Sequence, residues 1–225
     1  MINQKDLLIL FAKSQYASDV KTRLSPIFSQ KERACLQKAF ILDTLSLTAC
    51  LSVKRVLAYT PDIKDRAPFF TKCEKECSVL LIKQEGADLG ERMKNGFYWG
   101  FSHGFQRIVI IGSDSPTIPA SFIKQAFNRL STVPIVLGPA MDGGYYLIGV
   151  SGQVPDIFNN IKWGSDTVLS DTLMRLSRYD LLPFWYDVDY QEDIDFLIKH
   201  LSFLTTQRRL LPVNILKLIK RIYDY

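Results

Sequence analysis

The side chains that could do chemistry in this chain are carboxylates and cations rather than thiols or imidazoles. Asp114 follows Ile108–Ile111, an unbroken β-branched run closed by Gly112. Such a run reads as a strand buried on both faces, as in a parallel sheet. Asp114 then stands just past the carboxyl end of that strand, where open α/β sheets bind ligands. Asp is also a favoured turn residue, so a bare turn is the other reading. Asp142 is a second candidate. It lies in Asp142-Gly143-Gly144, between the apolar runs Val133–Leu137 and Tyr145–Gly149. Asp-Gly is a hairpin signal, but paired glycines also let a ligand approach the backbone closely. Asp187 and Asp189 flank Val188, and at strand spacing two such carboxylates point the same way. With Asp114 they would offer hard oxygen ligands to Mg²⁺ or Mn²⁺. The competing reading is a capping box of Asp189 with Glu192. Lys13, Lys21 and Arg23 follow the first apolar run, Leu7–Phe11. Lys offers a point charge to a phosphate, and Arg offers a planar fork that holds two oxygens. A solvated charged loop is the plainer alternative, and no Walker pattern is present.

The elements that must position these groups alternate. Asp6–Phe11 reads as the first strand. Ser29 and Glu32 form a capping-box pattern ahead of an amphipathic helix that runs to about Thr48. Val53–Tyr59 and Val79–Ile82 read as strands around a helix at Ala67–Cys77. Asp88 with Glu91 caps a helix carrying Leu89, Met93 and Phe97, and Arg92 on it reads as facing solvent, with a ligand as the other reading. A helix over Phe122–Leu130, one capped by Ser165, and a last strand at Phe184–Val188 complete the pattern. Alternation of this kind argues for one α/β domain over residues 1–225 with a mostly parallel sheet. Arg208–Tyr225 reads as a basic amphipathic helix packed on that domain.

Composition narrows the function. Apolar residues make up 47% of the 225 residues and charged ones 23%, ordinary values for a globular chain. The net charge of +5 suits a phosphate-bearing ligand and does not point to nucleic acid. No apolar run reads as a signal peptide or a membrane span. Cys35, Cys50, Cys73 and Cys77 match no zinc spacing and read as free thiols of a cytoplasmic protein. His103 and His200 lie in no nucleophile context.

An ordered set of motifs resembles a known family. The pieces are Lys13 with Val20–Leu24, Asp88–Met93, Gly112–Pro116, Gly138–Gly149, Trp163 with Thr167–Leu169, and Asp187–Asp189. Together they resemble bacterial GT-A-like glycosyltransferases of the arsenosugar-biosynthesis type. They are more distantly similar to phospholactate guanylyltransferase and the molybdenum-cofactor guanylyltransferases. The resemblance implies a Rossmann-like nucleotide-diphospho-sugar transferase (GT-A) fold, with a mixed, mostly parallel sheet and helices on both faces. It implies that Lys13, Lys21, Arg23 and Asp88 contact the nucleotide. Asp114, Asp187 and Asp189 would hold Mg²⁺ or Mn²⁺. Gly143, Gly144, Tyr145 and Trp163 would line the sugar or acceptor pocket. Asp114 and Asp142 would be catalytic, Asp142 as the base for an acceptor hydroxyl. The family's first loop carries Lys-x-Pro-x-Pro-Gly, whereas here those positions are Gln15, Ala17 and Ser18. Ser18 lacks the backbone freedom of that glycine.

The leading expectation is a metal-dependent glycosyltransferase that moves a sugar from a nucleotide-sugar donor to a small-molecule acceptor. A nucleotidylyltransferase releasing pyrophosphate from a nucleoside triphosphate is the alternative on the same fold. A non-catalytic nucleotide-binding module, motivated by the altered loop, is the third. A homodimer is compatible with all three.

Overall fold

The computed structural model describes residues 3–15, 20–60, 68–206 and 211–223. Seven strands form one sheet: β1 (Asn3–Lys13), β2 (Val53–Thr60), β3 (Leu80–Lys83), β4 (Arg107–Gly112), β5 (Ile135–Pro139), β6 (Tyr145–Ser151) and β7 (Asp180–Leu181). Their order is β3-β2-β1-β4-β6-β5-β7. Every neighbouring pair is parallel except those of β6, which runs antiparallel to β4 and β5. This is the mixed, mostly parallel sheet that the alternation implied. The chain winds outward from β1 to β3, then returns to place β4 on the other side of β1. The order therefore reverses between β1 and β4, and in open sheets the crevice beyond that switch point binds ligands.

Helices α1 (Gln30–Leu47), α2 (Pro68–Cys77) and α4 (Ala120–Arg129) cover one face. Helices α3 (Leu89–Ser102) and α5 (Val168–Leu173) cover the other. The central strands explain why both faces need cover. Leu8 and Leu10 pack on the first side, Leu7 and Ile9 on the second, and all four are buried. The run Ile108–Ile111 in β4 alternates in the same way.

Helix α1 departs from the amphipathic reading, because it is buried on two sides and leaves only a narrow stripe with Lys31, Lys38 and Ser46 exposed. Ile41 and Leu45 pack toward the sheet, while Leu36, Ala39 and Phe40 pack under α6 (Gln191–Thr206) and α7 (Val213–Tyr223). The expected Ser29–Glu32 capping box starts it: Glu32 N–H donates to Ser29 Oγ, and Ser29 N–H to Glu32. The fully buried Asp43 of α1 then caps α7, accepting from the backbone N–H groups of Asn214 (3.0 Å) and Ile215 (2.9 Å) and from Asn214 Nδ2 (2.7 Å). The tail expected from Arg208 is thus helical over Val213–Tyr223, while Arg208–Leu210 lie outside the described residues. Its apolar face is covered, since Ile215, Leu218 and Ile219 are buried against α1 and α6.

The expected last strand at Phe184–Val188 is not a strand. β7 is the dipeptide Asp180–Leu181, and the chain beyond it makes single bonds to successive partners. Leu182 N–H reaches Leu137 O (2.8 Å), Trp185 N–H reaches Pro139 O (3.1 Å), and Val188 N–H reaches Asp114 O (2.9 Å). The segment therefore crosses the carboxyl ends of β5 and β4 instead of continuing a ladder. The expected helix at Ala67–Cys77 begins at Pro68 in α2, and Ala67, like Pro61 and Asp62, lies outside the described residues. All four cysteines are free. No described helix is long and apolar enough to cross a membrane.

Candidate active site

At the switch point a cleft of about 350 Å³ opens beyond the carboxyl ends of β1 and β4. Lys13, Asp114, Asp142, Asp187, Gly144, Tyr145 and Trp163 are all on its walls. A second cavity of about 190 Å³ adjoins it, lined by Lys13, Lys21, Thr22, Arg23, Asp114 and Asp189 among others. Lys13 and Asp114 border both. The strands deliver Lys13 and Asp114 there because both follow runs that stop at the sheet's edge.

The carboxylates do not gather as one ligand set. Asp187 belongs to the larger cleft and Asp189 to the smaller, with the buried Val188 between them. The i, i+2 argument fails because residues 184–188 do not run as a strand. Asp189 instead pairs with Lys21 Nζ (3.1 Å) and Arg23 Nη1 (3.4 Å). It does not cap α6 either. That task falls to Asp193, which accepts from the N–H groups of Asp189 (2.9 Å) and Tyr190 (2.8 Å).

Lys21 is not an open phosphate-binding cation. Its side chain is only 3% exposed, and Nζ lies 2.6 Å from Asp114 Oδ1 and 2.7 Å from Val188 O. Nζ also sits 5.0 Å from the centre of the Phe40 ring. Burial by itself would lower its pKa, but Asp114 and Asp189 more than offset that, and the net shift is upward. Its backbone is left-handed (φ 47°), a conformation that costs a non-glycine residue about 1 kcal/mol or more. The three acceptors hold it there.

Asp187 is the most perturbed carboxyl at the site. Enclosure by protein raises its pKa, and the neighbouring Asp114, Asp142 and Asp189 charges add to that. A hydrogen bond from Ser115 Oγ opposes them, and the net value is about 7. Among the described residues no three His, Cys, Asp or Glu side chains could enclose an ion by themselves. Asp114 and Asp187 nonetheless fit a hard divalent cation. They are oxygen donors on one cleft, and the Asp187 charge is held there at a cost that a cation would relieve. Mg²⁺ is commonly held by one or two carboxylates with water and substrate phosphates completing its shell.

The remaining predicted residues divide. Asp142 lines the cleft, with Oδ1 accepting from Gly144 N–H (3.0 Å). Gly143 does not line it. A Cβ there would stand 2.0 Å from Asp166 O, so this glycine admits the backbone of the Trp163–Thr167 loop rather than a ligand. Tyr145 and Trp163 meet edge to face at 6.4 Å and form one wall. Asp88 accepts from Glu91 N–H (2.8 Å) at the start of α3 and is not among the cleft's lining residues. Capping geometry therefore accounts for its carboxylate, and the expected nucleotide contact is corrected to that role. Ser165 does not cap α5, because its Oγ donates to Lys162 O (2.8 Å). Gln15 is buried at the end of β1, while Ala17 and Ser18 lie outside the described residues.

Two residues escaped the sequence reading. Ser115 holds Asp187. Gln37, a buried amide of α1, donates from Nε2 to Lys13 O (3.1 Å) and Ser113 Oγ (3.1 Å) and so joins the ends of β1 and β4. The available signal is a Gln next to Leu36, just ahead of the apolar run Ala39–Leu42.

The family model described as "uncharacterized protein conserved in bacteria (DUF2064)" matches residues 42–165, more than half of the chain. The chain belongs to this family. The expected family relationship and fold agree with what its relatives show. A crystal structure from Desulfovibrio desulfuricans G20, provisionally described as a nucleotide-diphospho-sugar transferase, is 31% identical. It superposes with a TM-score of 0.87 over 99% of this chain and 98% of its own. The fold is therefore that of the nucleotide-diphospho-sugar transferases. A 2-phospho-L-lactate guanylyltransferase from Methanothermobacter thermautotrophicus is 27% identical over 80% of this chain and 79% of its own length. A 3-phospho-D-glycerate guanylyltransferase from Phenylobacterium zucineum is 30% identical over 60% of this chain and 62% of its own. The chain is thus related to transferases that work on nucleotides.

Proposed function

We propose that this protein is a metal-dependent nucleotidylyltransferase acting on GTP and a small phosphorylated acid. The observation that carries this reading is the pairing of Lys13 and Asp114 along the shared rim of two cavities, one edged by Arg23 and the other by Asp187. An anion-binding wall and a cation-binding floor thus meet at the switch point. Two guanylyltransferase relatives favour nucleotidyl over glycosyl transfer.

In this reading an oxygen of the acceptor phosphate attacks the α-phosphorus of GTP. The new P–O bond forms as the bond from the α-phosphorus to the bridging oxygen breaks, and pyrophosphate leaves. A phosphate acceptor is already ionised near neutral pH, so the step needs no general base, and Asp142 takes no proton in it. Lys13 and Arg23 stabilise charge on the departing pyrophosphate. Lys21 positions Asp114 through its ion pair. Asp114 and Asp187 would hold Mg²⁺ or Mn²⁺, which when bound supplies Lewis-acid neutralisation of phosphate charge. The free thiols suit a reducing cytoplasm.

Glycosyl transfer is the second reading, favoured by the description of the Desulfovibrio relative. Product analysis separates the two. With GTP, Mn²⁺ or Mg²⁺, and 2-phospho-L-lactate or 3-phospho-D-glycerate, pyrophosphate should appear only when acceptor is present. Asp114→Asn should stay folded and lose metal-dependent nucleotide binding. Nucleoside diphosphate released from a nucleotide sugar, with no pyrophosphate from any triphosphate, would overturn the proposal.

A further inference from the structure

Gln84 follows β3 directly and borders both the main cleft and an adjoining cavity of about 300 Å³. Its Nε2 donates to Ala58 O (2.8 Å) and Ala12 O (3.3 Å), carbonyls on β2 and β1. Carbonyls only accept, so the amide orientation is fixed. A flipped side chain would set its own oxygen against both of them. With both N–H groups of the amide used, Oε1 has no partner among the described residues. A rigidly aimed acceptor therefore stands at the border of the two cavities.

Arg92 stands on the same border. Its Nε donates to Gly86 O (3.1 Å), which orients the guanidinium, and its terminal nitrogens have no partner among the described residues. Phe11 is the third residue common to both cavities and gives the border an apolar surface.

We infer that Gln84 and Arg92 read the nucleotide base and select guanine. Guanine carries two acceptors, O6 and N7, that match an arginine fork. On its other side it carries two adjacent donors, the N1–H and the 2-amino group, that match one carbonyl with two lone pairs. Adenine places an amino donor where the fork needs an acceptor. Uracil sets its single N–H between two carbonyls. Cytosine offers N3 and O2 to a fork but only its 4-amino group to a carbonyl, whereas guanine fills both lone pairs, so a fork of donors beside this acceptor is most complete for guanine. The inference rests on the nucleotidyl-transfer reading for the presence of a nucleotide in the cleft.

The test is a cycle between one ligand group and one side chain. Dissociation constants for GTP and for inosine triphosphate, which lacks only the 2-amino group, are measured by calorimetry with Mg²⁺. The wild-type protein should prefer GTP by about tenfold, the size of one hydrogen bond. In Gln84→Leu that preference should fall to about one. Arg92→Leu should weaken both ligands alike, because both keep O6 and N7. Gln84→Lys can still donate to Ala12 O and Ala58 O but offers no acceptor, so it carries the same expectation if the leucine variant does not fold. An unchanged GTP preference in a folded Gln84 variant overturns the assignment, as does a wild-type protein that binds both ligands equally. A wild-type protein that binds no nucleoside triphosphate overturns the nucleotidyl-transfer reading itself.

Discussion

Asp43 and Asp187 are two carboxylates that the protein encloses, and in both the enclosure pushes the pKa upward. They differ in what stands around them. Asp43 is fully buried but receives three N–H donors from the start of α7, and these work against the upward shift. It is a structural joint with no hydrogen-bonding need left unmet. Asp187 has the Ser115 hydroxyl for a donor and three other carboxylates for electrostatic neighbours. A carboxylate held with so little compensation costs stability, and such arrangements concentrate at functional sites. The difference separates a buried charge that builds the fold from one that awaits a ligand.

The sharpest way to break this comparison is Asp187→Asn. In the proposed reaction it should lower kcat/KM by on the order of 100-fold or more, because a charge that serves the transition state is gone. The same change should stabilise the metal-free protein, in a pH-dependent way. The folded carboxyl titrates near 7 against an ordinary 3.8, so the folded state holds its proton more tightly. Wild-type stability from this group is therefore fully present below pH 3.8 and lost as pH rises through about 7. Melting curves in EDTA should show a smaller advantage for Asp187→Asn at pH 5 than at pH 8. An equal difference at both values would refute the assignment of Asp187 as the uncompensated carboxylate.

Asp43→Ala should do the opposite. Removing the acceptor of three donors, one buried and two half-buried, should cost roughly 2–4 kcal/mol in urea unfolding. Activity per folded molecule should fall far less than in Asp187→Asn. A smaller effect is expected from Gly143→Ala, at a site that supports the cleft wall without lining it. Its backbone is left-handed (φ 86°), and a Cβ would meet Asp166 O. A loss of about 1–3 kcal/mol is expected. A rise in acceptor KM should accompany it as the Trp163 loop shifts, and a change in nucleotide affinity instead would misplace that loop's role.

Much of this is legible in the sequence, and particular residues show why. The buried run Ile108–Ile111 announced its own strand, and Asp114 stands beyond its carboxyl end, as the pattern required. Ser29 with Glu32 set the start of α1 because capping is a matter of four adjacent residues. What stayed hidden depends on distant pairing. Nothing local says that Lys21 lies between Asp114 and Asp189. The stretch around Trp185 looked like a strand because it is apolar and β-branched or aromatic at alternate places. Its partners turned out to be lone groups on separate elements, which no periodicity encodes.

Helix α1 connects three of these features within two turns. Gln37 spans the two strand ends below the cleft, Phe40 lies under the Lys21 ammonium, and Asp43 receives the start of α7. The helix is thus a shaft with the cleft at one bearing and α7 at another. A disturbance at the tail, far from Lys13 and Asp114 in sequence, has a route along this helix to the spacing between them. Wear at one bearing would show as play at the other.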